Sequence, residues 1–291
     1  MVKWLTVKSF TLTTMPPNGT YSRTKLHSYP ESGGRRMNAD ERYLFDLQGY
    51  LVVPNALDSS TLRALNAMLD QQITEQVHPT SGTHRFLDLL EWGRPYLDLI
   101  DPDPILPYLE AVVGMKFRLD HVYLDIIRQG LGPIGATLHG GAVPFDPTMY
   151  FRHHNGQFEN GLTAVAYNLA DVNPGDGGFA CVPGSHKSNL QFPDDWKDLT
   201  EPHPCVQRVT GPAGAAIIFT EALTHGPLPW LADHERRTIF YKYSPNAVSW
   251  IADYPEAADY EGLTERQRAI LEAPNARQQA HIASNRPRAI K

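Results

Sequence analysis

Residues 169–189 read LADVNPGDGGFACVPGSHKSN, and this stretch decides the fold. A strand-like run enters a turn rich in Gly, Pro and Asp, and a short apolar run, GFAC, then ends at the tetrapeptide PGSH. Short apolar runs separated by such turn residues are typical of antiparallel strands. The stretch therefore predicts two strands of an all-β core with a glycine-rich connection between them.

Further β-rich runs lie on both sides of this stretch. Enrichment in β-branched and aromatic residues between turn clusters favours strands. Together the runs predict a mainly β domain, a sandwich or double-sheet jelly roll with helices flanking one side. The runs are MKFRLDHVYLDIIRQ (115–129), LTAVAYNLADV (162–172), AAIIFTEA (215–222) and RRTIFYKYS (236–244).

Two helices are expected before these strands. Asn38 is suited to be an N-cap, Glu41 follows three residues later, and the helical apolar spacing stops at Gly49. A second helical pattern starts after Asp58. Both helices are expected to pack against the sheet.

The chain is predicted to contain one folded domain with irregular ends. Residues 1–37 contain paired prolines and glycines and predict an irregular arm. Residues 38–260 form the predicted jelly-roll domain. Residues 261–291 are expected to hold a short helix, TERQRAILEA, and a basic tail.

Composition limits the class of partner. The chain has 291 residues, a net charge of -6 and 42% hydrophobic residues, which disfavours binding to a nucleic acid polymer and favours a small-molecule substrate. No apolar run is long enough for a membrane span or a secretion signal, so a cytoplasmic protein is expected. Cys181 and Cys205 are expected to be free thiols. The oligomeric state does not follow from the sequence.

Three residues stand in an order that carries chemistry: His139 in LHGG, His225 in FTEALTHGPLPW and Arg236 at the head of RRTIFYKYS. Together with the segment 169–189, they make the chain similar to the phytanoyl-CoA dioxygenase family of iron(II)- and 2-oxoglutarate-dependent oxygenases. The resemblance covers residues 40–250, and segment 169–189 is its most specific part. It implies a double-stranded β-helix, the cupin-like form of the jelly roll.

The resemblance also implies cofactors and ligands. His139 and His225 are expected to bind Fe(II), and Arg236 the far carboxylate of 2-oxoglutarate, with dioxygen as co-substrate. A guanidinium group suits this task because its planar fork can hold a carboxylate by two parallel hydrogen bonds. Neighbouring residues on a strand face opposite sides, so only one of Arg236 and Arg237 is expected to point inward. The spacing of eleven residues from His225 favours Arg236.

One expected iron ligand is missing. The family usually supplies a carboxylate in a His-x-Asp or His-x-Glu motif, whereas this chain has His139-Gly140-Gly141. The same departure characterises the halogenases of this superfamily, in which chloride or bromide takes the vacant position and carries the charge of the lost carboxylate. The sequence therefore predicts a halogenase that installs chloride or bromide at an unactivated carbon. Gly141 is its catalytic position, and Gly141→Asp is expected to abolish halogenation.

Two alternatives remain open at this stage. A remote carboxylate, Asp146 or Glu159, could return to the iron and restore a hydroxylase. The site could also have decayed, leaving a non-catalytic binding protein on the same fold. Glu221, four residues before His225, is expected either to accept a hydrogen bond near the metal or to lie at an edge in water.

The substrate is the least determined part of the prediction. Arg128, Arg152 and His153 are candidates for binding an anionic group of a freestanding small molecule from secondary metabolism, with a nucleoside or nucleotide as one candidate substrate. The stretch between Gly141 and Gly161 is expected to close the cavity. Strand alternation places one set of residues on a single face: Arg118, Asp120, Val122, Leu124, Ile126 and Arg128.

Overall fold

The computed structural model describes residues 36–129 and 136–276, which belong to one compact unit of the chain, Arg35–Lys291. All but the last two residues of the predicted arm, and the basic tail, lie outside the described residues. The helices are α1 (Ala39–Gln48), α2 (Ser59–Gln76), α3 (Arg94–Leu97), α4 (Leu106–Val112) and α5 (Glu265–Ile270). The strands are β1 (Tyr50–Val53), β2 (Thr83–Phe86), β3 (Phe117–Ile127), β4 (His153–His154), β5 (Gln157–Phe158), β6 (Thr163–Asn168), β7 (Gly178–Cys181), β8 (Gln207–Arg208), β9 (Ala216–Thr220), β10 (His225–Leu228) and β11 (Arg236–Pro245).

The two predicted N-terminal helices are confirmed, together with both ends of α1 and the start of α2. The Asn38 side chain accepts from the backbone N–H of Glu41, and the Glu41 carboxylate accepts from that of Asn38, which forms a complete capping box. Helix α1 ends at Gly49, and Asp58 caps α2 through the N–H of Thr61. Each cap satisfies backbone donors that the first helical turn leaves unpaired.

Two sheets form the predicted jelly roll. The large sheet has the strand order β1-β9-β6-β11-β3-β2, and the small sheet has the order β10-β7-β8. All pairings are antiparallel, and β4 and β5 form a separate hairpin. The fold class predicted from the sequence, a mainly β double-stranded β-helix with flanking helices, is confirmed.

The large sheet has two different sides, which we call the helix side and the inter-sheet side. On the helix side, Ile239, Tyr241 and Tyr243 of β11 lie in the main core together with residues of α1, α2 and α4. On the inter-sheet side, Phe240 packs in a smaller cluster with Phe179 of the small sheet. Full burial of a large apolar side chain contributes about 1.5–3 kcal/mol. The main core therefore holds the sheet on the helices, while the inter-sheet side combines a smaller apolar cluster with buried polar side chains.

A β-bulge corrects the predicted faces of β3. Lys242 pairs with His121, but Tyr243 pairs with Leu119, so Asp120 is an extra residue without a partner. One extra residue reverses the alternation of a strand. The predicted face is therefore split: Val122, Leu124 and Ile126 lie on the helix side with Phe117 and Leu119, without Arg118 and Asp120.

Neither cysteine forms a disulfide: Cys181 is buried and Cys205 is partly buried, both as free thiols. Burial raises the pKa of the Cys181 thiol to about 12. None of the described helices is both long and apolar enough to cross a membrane.

Candidate iron and 2-oxoglutarate site

The two candidate metal ligands face each other across a backbone bridge. The N–H of His139 donates to the carbonyl of His225 at 2.8 Å, and the N–H of His225 donates back at 2.9 Å. Their ring centroids are 4.3 Å apart. His225 is buried at the start of β10, whereas His139 is exposed. Residues that lie 86 positions apart in the sequence thus form one pair of imidazoles.

Hydrogen bonds to backbone carbonyls orient both rings. His225 Nδ1 lies 2.7 Å from the carbonyl oxygen of Leu223, and His139 Nδ1 lies 3.4 Å from that of Thr137. A neutral imidazole that donates from Nδ1 carries its lone pair on Nε2, which is the usual arrangement of a metal-binding histidine. Burial lowers the pKa of His225 to about 4, although Glu221 opposes this shift. His225 is therefore neutral near pH 7 and able to bind a metal.

The two glycines after His139 fit a close backbone approach. A Cβ atom at Gly140 would lie 2.7 Å from the carbonyl oxygens of Glu221 and Leu223. Gly141 has φ +112°, and a Cβ there would lie 3.0 Å from Thr224 Oγ1. An L-residue adopts such a φ only with strain. The backbone at Gly141 therefore differs from the backbone that an aspartate would adopt. Gly141→Asp would strain this backbone as well as add a carboxylate.

A buried carboxylate lies beside the histidines. Glu221 Oε2 is 3.7 Å from His225 Nε2, and Glu221 Oε1 is 2.8 Å from Lys242 Nζ. Burial raises the pKa of the Glu221 carboxyl, but the ammonium group of Lys242 outweighs burial and holds that pKa well below its ordinary value. Glu221 is therefore ionised. The alternative that it lies at an edge in water is wrong, because its side chain is only 5% exposed.

The structure separates the two neighbouring arginines of β11. Arg236 is 5% exposed and lies on the inter-sheet side, and its buried Nε has no hydrogen-bond partner among the described residues. Thr238, two residues further along the same side, has a buried Oγ1 that is likewise unpartnered. Arg237 lies on the helix side, where its guanidinium binds Glu235 and Asp70.

The unpartnered donors of Arg236 and Thr238 fit a carboxylate-bearing cofactor. A buried guanidinium without a counter-ion is costly. Burial lowers the pKa of Arg236 from its ordinary value, but an arginine stays protonated in proteins. Among the described residues no carboxylate forms an ion pair with Arg236. A bound carboxylate would supply the missing charge and accept from both side chains.

The two remote acids considered from the sequence have other partners. Asp146 Oδ1 accepts from the backbone and hydroxyl of Thr148 at 2.7 and 2.6 Å. Glu159 forms a 3.5 Å ion pair with Arg152, and both side chains are about half exposed. Within residues 36–129 and 136–276, no three histidine, cysteine, aspartate or glutamate side chains are already arranged as a complete metal site. The histidine pair fits a metal, while the third ligand needs a side chain to move.

Among the described residues, Arg128 makes no contact with the other two predicted substrate residues, Arg152 and His153. Arg128 binds Glu235 at 2.8 Å and donates to carbonyls of the segment 78–81. Arg152 and His153 lie in or beside the exposed β4–β5 hairpin, where His153 contacts Phe158. Their role in binding substrate stays a prediction, and the donors of Arg128 are already occupied by protein groups.

Sequence reasoning missed Lys242 as part of the site. A period of two along β11 places Arg236, Thr238, Phe240 and Lys242 on one side, so the choice of Arg236 as the inward arginine also pointed to Lys242. Sequence reasoning also missed the ion pair of Asp125, which lies opposite Thr238 and accepts two hydrogen bonds of 2.7 Å from Arg85.

The two sheets and the histidine pair identify the class of fold: the jelly roll that iron- and 2-oxoglutarate-dependent oxygenases have. The family resemblance is confirmed by a family model: residues 137–238, which include His139, His225 and Arg236, match phytanoyl-CoA dioxygenase (PhyH). The match covers 102 of the 291 residues. No curated protein sequence matches the chain significantly.

Several solved structures of similar fold contain a metal and 2-oxoglutarate, or are described as depending on 2-oxoglutarate. HygX from Streptomyces hygroscopicus with nickel and 2-oxoglutarate bound is 24% identical, with a TM-score of 0.67 over 78% of this chain and 94% of that one. The carbocyclase SnoK from nogalamycin biosynthesis is 14% identical, with a TM-score of 0.55 over 72% and 85%. The epimerase SnoN, in complex with Fe3+, alpha ketoglutarate and nogalamycin RO, is 17% identical, with a TM-score of 0.53 over 80% and 93%. These likenesses support the fold.

Proposed function

We propose that this protein is an iron(II)- and 2-oxoglutarate-dependent oxygenase that oxidises a C–H bond of a small molecule in secondary metabolism. The observation that carries the proposal is the histidine pair with both Nδ1 atoms directed at carbonyls, on the same side of the fold as the unpartnered Arg236. A HygX structure holds nickel, 2-oxoglutarate and hygromycin B, and one of SnoN holds nogalamycin RO. Substrates of that kind, freestanding natural products, suit this proposal.

Each residue of the site has a defined task. His139 and His225 hold the metal through Nε2, and Arg236 with Thr238 holds the distal carboxylate of 2-oxoglutarate. The bound iron, 2-oxoglutarate and dioxygen supply the oxidising power for C–H cleavage. Phe179 and Phe219, whose rings lie 5.8 and 4.7 Å from that of His225, exclude water from one side of the metal position.

Halogenation is a second candidate reaction, and Gly141 is the observation that favours it. A residue without a side chain beside His139 leaves room for a chloride or bromide ligand, which has the charge of the missing carboxylate. The positive φ of Gly141 weakens this argument, because the backbone there is not that of an aspartate position. Hydroxylation and halogenation thus differ in which anion completes the iron site.

The test uses anaerobic protein loaded with Fe(II) and 2-oxoglutarate. A metal-to-ligand absorption band that saturates with both additions is expected, and its absence would refute the proposed function in favour of a non-catalytic binding protein. Chloride is then titrated into the loaded protein. A band unaffected by chloride is expected for the oxygenase, whereas a saturable shift would identify the halogenase.

A further inference from the structure

Glu221 occupies a fixed position at the entrance to β10. It follows the last residue of β9, and its backbone N–H donates to the carbonyl of Leu162 at 2.9 Å. The turn between the strands is held by Leu223 N–H to the Thr220 carbonyl at 2.9 Å and Thr224 N–H to Ser185 Oγ at 2.8 Å. The turn therefore presents Glu221 to His225 from four residues away with little freedom.

Glu221 Oε2 and His225 Nε2 lie 3.7 Å apart in a buried part of the site. Because His225 Nδ1 is directed at the Leu223 carbonyl, Nε2 is the ring nitrogen that remains for a metal. A carboxylate oxygen and an imidazole nitrogen are both ligands of first-row divalent metals, so a cation between them would be bound by both.

The spacing of these acceptors suits one metal ion. Nitrogen and oxygen ligands lie about 2.0–2.2 Å from a first-row divalent metal, so two ligands at right angles are about 3 Å apart. The observed 3.7 Å is slightly wider and closes with a small rotation of the Glu221 side chain. In the described part of the chain, Glu221 is the one carboxylate within 4 Å of either His139 or His225.

We propose that Glu221 is the third protein ligand of the metal, so that His139, His225 and Glu221 together form the 2-His-1-carboxylate site. The acid comes from four residues before the distal histidine, instead of two residues after the proximal one. This inference rests on the proposed function for the identity of the metal, and it favours the oxygenase over the halogenase. Gly141 then needs no anion beside it.

Lys242 is the positioning residue of this site. Its ammonium lies 2.8 Å from Glu221 Oε1 and leaves Oε2 directed at His225. Because Lys242 holds Oε1, the carboxylate would bind the metal through Oε2 alone. One-oxygen binding keeps three of six coordination positions open for 2-oxoglutarate and dioxygen.

The experiment measures Co(II) and Fe(II) binding to the full chain under anaerobic conditions, by competition with a chromophoric chelator and by the Co(II) d–d spectrum. Changes outside the ligand shell typically weaken metal binding about 10–100-fold. Glu221→Gln is expected to weaken it by more than about 100-fold and to change the d–d spectrum. The matched controls Glu159→Gln and Asp146→Asn are expected to bind like the wild type.

A second variant guards against misfolding, because Glu221→Gln leaves Lys242 buried without its counter-ion. The double variant Glu221→Gln/Lys242→Met removes both charges and is expected to fold, yet to bind metal as weakly as Glu221→Gln. Lys242→Met alone is expected to weaken metal binding less than Glu221→Gln does, within the range of about 10–100-fold that is typical of changes outside the ligand shell. Added formate is expected to restore metal binding in Glu221→Ala. It is not expected to restore metal binding in His225→Ala.

The outcomes separate this inference from the proposed function. Wild-type affinity and spectrum in the folded double variant would overturn Glu221 as a ligand while the oxygenase proposal stands. Absence of metal binding by the wild type would overturn both.

Discussion

The two sides of β11 treat buried polar groups in opposite ways. On the helix side, Arg237 binds Glu235 and Asp70, and the hydroxyl of Tyr243 donates to two backbone carbonyls at 3.0 and 3.1 Å. On the inter-sheet side, Arg236 and Thr238 keep buried donors without partners among the described residues. Adjacent residues of one strand therefore differ in whether the protein alone satisfies them.

This difference indicates which side of β11 is suited to bind a ligand. Folded proteins pair nearly all of their buried polar groups, and an unpaired one costs about 1–3 kcal/mol. An accumulation of such groups on one side of one strand is therefore a feature of binding, not of folding. Buried unpartnered groups also occur elsewhere among the described residues, and on the helix side the hydroxyl of Tyr167 is one of them.

The largest expected effect separates the two arginines. Arg236→Met removes the charge that holds the 2-oxoglutarate carboxylate, and it is expected to weaken 2-oxoglutarate binding by about 100-fold or more. Arg237→Met breaks ion pairs on the helix side, and it is expected to lower the free energy of unfolding with 2-oxoglutarate affinity retained. Calorimetric titration of the Ni(II)-loaded variants checks both. Equal losses of affinity would break the comparison.

The second prediction concerns pH and a buried histidine away from the metal position. Burial lowers the pKa of His186 from 6.5 to about 4. Because the unfolded chain binds the proton more tightly, the stability held by neutral His186 is present above pH 6.5 and is lost as the pH falls toward 4. The metal-free protein is expected to lose about 2 kcal/mol between pH 7 and pH 5 through this residue.

Denaturant unfolding at both pH values measures that loss. His186→Gln is expected to reduce the difference between the two pH values without changing metal affinity at pH 7, because the ring contacts the carbonyl of Asp46 and not the metal site. His225, whose pKa is also lowered, acts in the same direction and accounts for the remaining loss. An unchanged pH dependence in His186→Gln would contradict the assignment.

The third prediction compares two tyrosines of the helix side. Tyr243→Phe leaves the carbonyls of Leu99 and Ile100 without their donor, and it is expected to cost about 1–3 kcal/mol of stability. Tyr167→Phe removes an unpartnered hydroxyl and is expected to be neutral or stabilising. Thermal unfolding of the two variants side by side decides the matter. A large loss in Tyr167→Phe would show that its hydroxyl has a partner in solution.

The smallest effect is expected at Thr238. Thr238→Val replaces the hydroxyl by a methyl group of similar size, and it removes one hydrogen bond to 2-oxoglutarate at a cost of about 0.5–1.5 kcal/mol, or about 2–13-fold in affinity. Stability should not fall, since the hydroxyl has no protein partner. The same titration as for Arg236→Met measures it, and reduced stability with full affinity would reverse the interpretation of this side.

The local features and the resemblance to a family could be predicted from the sequence alone. Helix caps at Asn38 and Asp58, the period-two strands and the PGSH segment depend on neighbouring residues, so they could be predicted without knowing the fold. The order of His139, His225 and Arg236 carried the resemblance, and the spacing of eleven residues from His225 favoured Arg236 as the inward arginine. These are short-range properties of the chain.

The positions of Glu221 and Lys242 beside the histidine pair could be found only from the tertiary structure. Glu221 meets Lys242 because β11 and β9 both pair with β6, and the turn after β9 leads back to His225 in the other sheet. The bulge at Asp120 and the positive φ of Gly141 likewise depend on partners far away in the sequence. Such contacts are set by the pairing of distant strands, and the physical reason is that a single sequence fixes alternation within a strand but not the register between strands.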